Sequence, residues 1–202
     1  MAKQTVTMAF LQTRFRVINR VPIPSIVDPQ AARTYLGTYE SLITPNPYLE
    51  RYELRTLDAA EQEEIRRDPF YPPNTTHWQG YTVYERVPII PGAGDWATTV
   101  VEIPCIFLTS EYGVLCRGDA TGGVTVKSRY EVRKRGEIQE GPDLVVGPGE
   151  EGDYELVDIS EINCNLVVKP FVREKLSSGH IGILKTVVSK LVEQAKASAA
   201  SF

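Results

Sequence analysis

Few side chains in this chain are equipped for chemistry, and their placement limits what that chemistry can be. Glu85 stands in the run Tyr81, Val83, Glu85, Val87, Ile89, and Asp158 stands with Leu156 and Ser160 in a second run. Strand alternation puts every second side chain on one face, so both carboxyl groups are expected on apolar, inward faces. Burial disfavours the charged carboxylate and raises its pKa, which suits a general acid or base. His180 lies one helical turn after Leu176 and one before Leu184, on the apolar stripe of the C-terminal segment. These three, Glu85, Asp158 and His180, are the catalytic candidates. Asn19 shares a face with Phe15 and Val17, and Tyr81 and Tyr130 carry hydroxyls for a ligand carbonyl. Tyr52, Val101, Ile103, Phe107, Ser128 and Leu184 complete the expected ligand-binding set. Each polar candidate also has a plainer reading, as a strand end or a satisfied structural hydrogen bond. For the tyrosines that reading is the ordinary use of Tyr in half-buried strands.

Other chemistries find little support. Gly147-Pro148-Gly149-Glu150-Glu151-Gly152 matches GxGxxG by letter, and Gly92 to Ala97 matches GxGxxA. A dinucleotide site needs such a loop between a strand and a helix. Both patterns lead instead into expected strands, and Glu150 and Glu151 would repel phosphate. No P-loop, HExxH or GxSxG occurs. His77 and His180 lie far apart, and Cys105, Cys116 and Cys164 lack ligand spacing, so no metal and no cofactor is expected. The three cysteines read as buried, reduced thiols of an intracellular, cytoplasmic protein. The N-terminal residues show no signal-peptide pattern, so the sequon at residues 74–76 reads as a chance match. A formal charge of −4, from 22 basic and 26 acidic residues, argues against nucleic acid as a partner. No run of 18 apolar residues occurs, so no membrane-spanning helix is expected. The oligomeric state is left open.

The elements that must hold these residues can be read in order. Residues 13–21 alternate as a half-buried strand. Asp28-Pro29 caps a helix over about 29–43, which Pro45 and Pro47 end. A strand follows at 48–57. Asp58 and Glu61 have the spacing of a capping box for a short, charged, solvent-facing helix. That helix and the proline loop after it form an insertion at about 58–77. The aromatics of the loop would rim a pocket or else fold onto the outside of a sheet. From 78 to 134 strand follows strand, with a turn at Pro91 to Asp95. The basic alternation Lys127, Arg129, Arg133 reads as a solvated strand face. An acidic, Gly/Pro-rich loop spans 136–153, and strand resumes over 154–169. The last segment, 171–200, carries Val172, Leu176, Ile183, Leu184, Val187, Val188 and Leu191 at helical period. All 202 residues read as one domain, with its core at about 13–196. The fold class is α+β: a curved antiparallel sheet gripping a long C-terminal helix.

In this order of elements, and in the closing stretch Tyr154–Lys190, the chain resembles the START-like (SRPBCC, birch-pollen-allergen-like) helix-grip superfamily. More loosely it is similar to a fungal START-like family of unknown function. The resemblance implies a cavity between sheet and helix that binds a hydrophobic small molecule. It further implies a cofactor-independent cyclase or isomerase, even a pericyclase, of specialised (secondary) metabolism. The alternative is a non-catalytic carrier or sensor of lipid or polyketide. A third reading is an interaction module with a filled core.

Overall fold

The computed structural model describes residues 11–73, 75, 77–88 and 98–200. The turn at 91–95, the GxGxxA pattern at 92–97, and Ile89, Asn74 and Thr76 lie outside the described residues. In chain order the elements are β1 (Gln12–Ile23), α1 (Pro29–Leu36), α2 (Glu40–Ile43), β2 (Leu49–Arg55), α3 (Ala59–Arg67), β3 (Trp78–Pro88), β4 (Thr98–Ser110), β5 (Gly113–Ala120), β6 (Val124–Lys134), β7 (Tyr154–Asn165) and α4 (Lys169–Ala199). Seven strands form one curved antiparallel sheet, in the order β1-β7-β6-β5-β4-β3-β2. The long C-terminal helix packs on its inner face against β1 and β7.

The pairing register converts the alternation into rows of inward side chains. One row runs Asn19, Asp158, Tyr130, Val114; the next runs Val17, Ser160, Ser128, Cys116, Phe107. A third pairs Tyr52, Val83 and Ile103. Polar residues therefore concentrate where β7 and β6 meet. The outermost pair, β1 and β7, holds a buried ion pair on the other face. Arg20 grips fully buried Glu155 with two hydrogen bonds, Nε to Oε2 at 2.9 Å and Nη2 to Oε1 at 2.6 Å. Nη2 also donates to the carbonyl of Ile138 at 2.8 Å, fastening the acidic loop to the sheet. The GxGxxG stretch lies in that loop. Gly147 N donates to Glu150 Oε2 at 2.7 Å, and the chain runs on into β7 rather than into a helix.

Three expectations change in detail. The single helix over 29–43 is two. Asp28 caps α1 through the amides of Gln30 and Ala31, but the helix ends at Leu36. Tyr39 then adopts a φ of 58°, in a region that costs a non-glycine residue strain. Its ring stacks on Phe107 at 5.3 Å and its hydroxyl meets Thr109 Oγ1 at 3.0 Å, contacts that hold the chain in this bend. Strand β7 stops at Asn165, not 169. The Asn165 side chain accepts from Val167 N at 2.9 Å and its carbonyl accepts from Val168 N, turning the chain into α4 with Pro170 in the first turn.

The insertion at 58–77 is the third change. The capping box is formed in both directions between Asp58 and Glu61. Yet α3 is not wholly solvent-facing: Ile65 is buried against the outer face of the sheet with Leu57, Tyr71, Ile106, Leu108 and Leu115. Phe70 and Trp78 pack onto the same cluster. The described residues of the proline loop thus cover the outside of the sheet, and none of them lines the cavity described below. Arg117 meets Glu64 at 2.7 Å and Lys127 meets Asp68 at 2.7 Å, tying α3 and its end to β5 and β6. Truncating a buried Ile costs about 2–5 kcal/mol in a core. We expect Ile65→Ala to lower unfolding stability in urea by an amount in that range. A loss under about 0.5 kcal/mol, typical of surface substitutions, would show that the insertion does not stabilise the sheet.

Candidate functional site

A cavity of about 330 Å³ opens between the inner sheet face, α2 and the N-terminal half of α4. Its sheet wall is chiefly aliphatic: Val83, Val87, Val101, Ile103, Val124 and Val126. Phe107, Cys105 and Cys116 form part of the floor. On α4 the lining comes from Phe171, Val172, Lys175, Leu176, His180 and Ile183, one face of the helix at three- and four-residue steps. Gly118 leaves room here, because a Cβ in its place would meet Ile103 at 3.2 Å and Cys105 Sγ at 3.5 Å. Gly179 lets α4 come close to the segment before β2: a Cβ there would stand 3.2 Å from the Tyr48 ring.

At one wall of the cavity lies a hydrogen-bonded polar network. Asp158 is fully buried. Its Oδ2 lies 2.9 Å from Asn19 Nδ2 and 2.9 Å from His180 Nδ1. Its Oδ1 accepts from Ser160 Oγ at 2.7 Å. With that proton committed, Ser128 Oγ must donate to Ser160 Oγ, 2.6 Å away. A carboxylate only accepts, so His180 Nδ1 carries the hydrogen between it and Asp158. Every described hydrogen bond of His180 runs through Nδ1, including longer contacts to Tyr130 at 3.4 Å and Ser160 at 3.5 Å. The serines therefore sit on the Asp158 side of the ring. They are not placed as nucleophiles awaiting Nε2, which is the arrangement of an acyl-transfer triad.

The electrostatics follow from this packing. Burial pulls the His180 imidazolium down, but the charge and hydrogen bond of Asp158, helped by Glu85, outweigh it and hold the pKa above the ordinary 6.5. Burial pushes the Glu85 carboxyl above 4.5, against a hydrogen bond from Asn46 Nδ2 at 2.6 Å and the positive charges of His180 and Lys175. Burial, then the charge of Asp158, lifts the Tyr130 hydroxyl well above 10, so it stays a donor. The Cys116 thiol is held well above 9 by its hydrogen bond with Cys105 and by burial.

The structure brings most of the expected residues together. Glu85, His180, Val101, Ile103, Phe107, Ser128 and Tyr130 all line the cavity. Asp158 and Asn19 lie behind its wall and reach it through His180. Tyr81 is buried in the main core, and its hydroxyl is given to Glu40 Oε1 at 2.8 Å. Leu184 is fully buried in the core, next to the lining residue Ile183. Tyr52 is 38% exposed on the edge strand, its ring 6.2 Å from Tyr81. None of these last three is part of the lining. Sequence reading missed Asn46, Lys175 and the cavity position of Cys116; Cys105 lines the cavity on the face it shares with Val101, Ile103 and Phe107. Lys175 could have been found from the α4 stripe, since it adjoins Leu176 and precedes Gly179 by one turn. Nothing in the Pro45-Asn46-Pro47 turn signals the bond to Glu85.

A curved seven-stranded sheet closed by a long C-terminal helix, with a cavity between them, defines a helix-grip α+β protein. The chain belongs to the family described as "Domain of unknown function (DUF7053)", whose model matches residues 12–197. No curated protein matches it in sequence. Among solved structures it is similar to norcoclaurine synthase from Thalictrum flavum, at 13% identity and a TM-score of 0.51, covering 95% of this chain and 93% of that one. It is also similar to two di-domain ARO/CYC proteins. For BexL, from the BE-7585A biosynthetic pathway, identity is 11% and the TM-score 0.51, over 89% of this chain and 50% of that one. For StfQ, from the steffimycin biosynthetic pathway, the figures are 12% and 0.50, over 94% and 53%. The chain thus spans about half the length of these di-domain proteins. Such distant likeness establishes the fold. No helix among the described residues is long and apolar enough to cross a membrane.

The raised pKa values of His180 and Glu85 have a consequence for stability. A group that binds its proton more tightly in the folded state stabilises fully below its unfolded pKa, and that contribution is lost as pH rises through the folded pKa. For His180 the loss begins near 6.5 and runs upward; for Glu85 it begins near 4.5. Urea unfolding of wild type and His180→Asn should therefore differ most below pH 6.5. The gap should narrow as pH is raised above 6.5, through the folded-state pKa. A gap that widens with pH would contradict the assignment of the dyad.

Proposed function

We propose that this START-like domain, of the fungal kind its sequence resembles, binds a hydrophobic small molecule in the cavity between sheet and α4. It then acts on that molecule as a cofactor-independent cyclase or isomerase of specialised metabolism. The observation that carries this reading is the Asp158–His180 pair on the wall of an otherwise apolar cavity. A cavity built only for storage has no need of a buried carboxylate that orients an imidazole. The likeness to norcoclaurine synthase and to proteins of two biosynthetic pathways supports it at the level of fold.

The chemistry would run as follows. Asp158 fixes the His180 tautomer with hydrogen on Nδ1, leaving the Nε2 lone pair for the ligand. Nε2 takes a proton from the carbon next to a ligand carbonyl. Tyr130, kept protonated by burial, donates a hydrogen bond to the carbonyl oxygen as charge builds there, and the Glu85 carboxyl, its pKa raised by burial, is the second candidate for that role. The resulting enolate closes on a second electrophilic carbon of the folded ligand, or takes the proton back at another position. In either case the imidazolium returns its proton, and no oxidant or reductant is needed. The cavity contributes by holding the chain of the ligand in a reactive shape, so that ring closure loses little further entropy.

A second reading is a non-catalytic carrier or sensor, favoured by the aliphatic character of the sheet wall. The two separate in one experiment. Small molecules retained by the native protein are identified by mass spectrometry, then incubated with wild type, Glu85→Gln and Asp158→Asn. General acid–base groups contribute roughly 10²–10⁴-fold, and we expect at least one variant to lose turnover on that scale. Turnover unchanged in both variants removes the acid–base mechanism. A retained molecule that wild type never converts selects the carrier.

A further inference from the structure

The cavity holds one charge that the acid–base reading does not use. Lys175 lies on its α4 wall, half-buried, with Nζ 3.8 Å above the centre of the Tyr48 ring and 5.8 Å from that of Phe171. Among the described residues no carboxylate comes within 4.0 Å of it. Three basic groups that line the other grooves are matched: Arg117 has Glu64, Asp68 and Asp119, Lys127 has Asp68, and Arg16 has Glu140 and Glu161. The acid whose charge Lys175 does feel is Glu85, but that group is bonded to Asn46 and driven toward its neutral form by burial. Asp158, the other acid at this cavity, is committed to Asn19, Ser160 and His180. Two aromatic faces hold the ammonium in place without neutralising it. A half-buried cation without a counter-charge is placed to meet an opposite charge that enters the cavity.

We propose that the ligand of this cavity is an amphipathic acid, whose apolar body lies along the sheet wall and whose ionised carboxylate pairs with Lys175. The inference rests on the cavity being a ligand site and deepens it by naming the class of ligand. Lys175 would fix the ligand end-on, so that its orientation relative to His180, five residues further along α4, is set before any chemistry begins. A cavity with only aliphatic walls would accept esters, alcohols and acids alike. This one should discriminate among them.

The test uses three probes of matched chain length: decanoate, methyl decanoate and decylamine. Their binding to wild type, Lys175→Met and Lys175→Arg is measured by calorimetry at neutral pH. Wild type should bind decanoate at least tenfold more tightly than the methyl ester, and decylamine most weakly. Lys175→Met should bind acid and ester equally well, while Lys175→Arg keeps the preference. Equal binding of acid and ester by wild type overturns the proposal while leaving the cavity reading intact. So does a preference that survives in Lys175→Met, or tighter binding of the amine. Failure of all three probes to bind overturns the cavity reading, and this inference with it.

Discussion

One buried carboxylate organises this molecule. Asp158 has no contact with solvent, and its two oxygens receive hydrogen bonds from Asn19 on β1, Ser160 on its own strand and His180 on α4. An unpaired charge in such a place would be untenable. Removing one partner from a buried charged pair typically costs about 3–5 kcal/mol. The sheet edge and the helix must therefore both be in register for the charge to be accommodated. The interaction that locates α4 over β7 and β1 is thus also the one that aims an imidazole at the cavity.

The helix divides in two around this point. Its buried residues begin at Gly179 and continue through Ile183, Leu184, Val187, Val188 and Leu191. Before Gly179 the apolar residues Phe171, Val172 and Leu176 are only half-buried and face the cavity. The second half grips the core, while the first half stands off and roofs an open space. Gly179 marks the change, because its missing side chain admits the Tyr48 ring. Tyr48 in turn lies under Lys175. The residue after this glycine is His180, so close packing and the titratable group fall at one step of the helix.

Much of this was legible from residue order. The clean alternation of Val124, Val126, Ser128, Tyr130 and Val132 gave their common face, and the strand pairing only aligned it with Ser160 and Asp158. Glu85, Asp158 and His180 were each recognisable as polar interruptions of apolar patterns. What periodicity could not supply was which of them would meet. Asp158 and His180 belong to different elements, and only the tertiary packing of α4 sets their distance. Tyr81 shows the opposite failure. It lies inward as its alternation requires, but the bend at Tyr39 starts the short helix from which Glu40 takes the hydroxyl. The insertion misled for a related reason. A helix with one aliphatic residue among charges looks solvated, yet Ile65 faces a second apolar cluster supplied by the outward residues Ile106, Leu108 and Leu115.

The account rests on His180 being held, proton on Nδ1, by the Asp158 carboxylate. With only two histidines in the chain, its ring nitrogens can be followed by ¹⁵N NMR through a pH titration, using a His77 variant for assignment. The account predicts that His180 titrates above 6.5, that its neutral form carries hydrogen on Nδ1, and that Asp158→Asn lowers the midpoint. A midpoint at or below 6.5, with hydrogen on Nε2 and no response to Asp158→Asn, would contradict it.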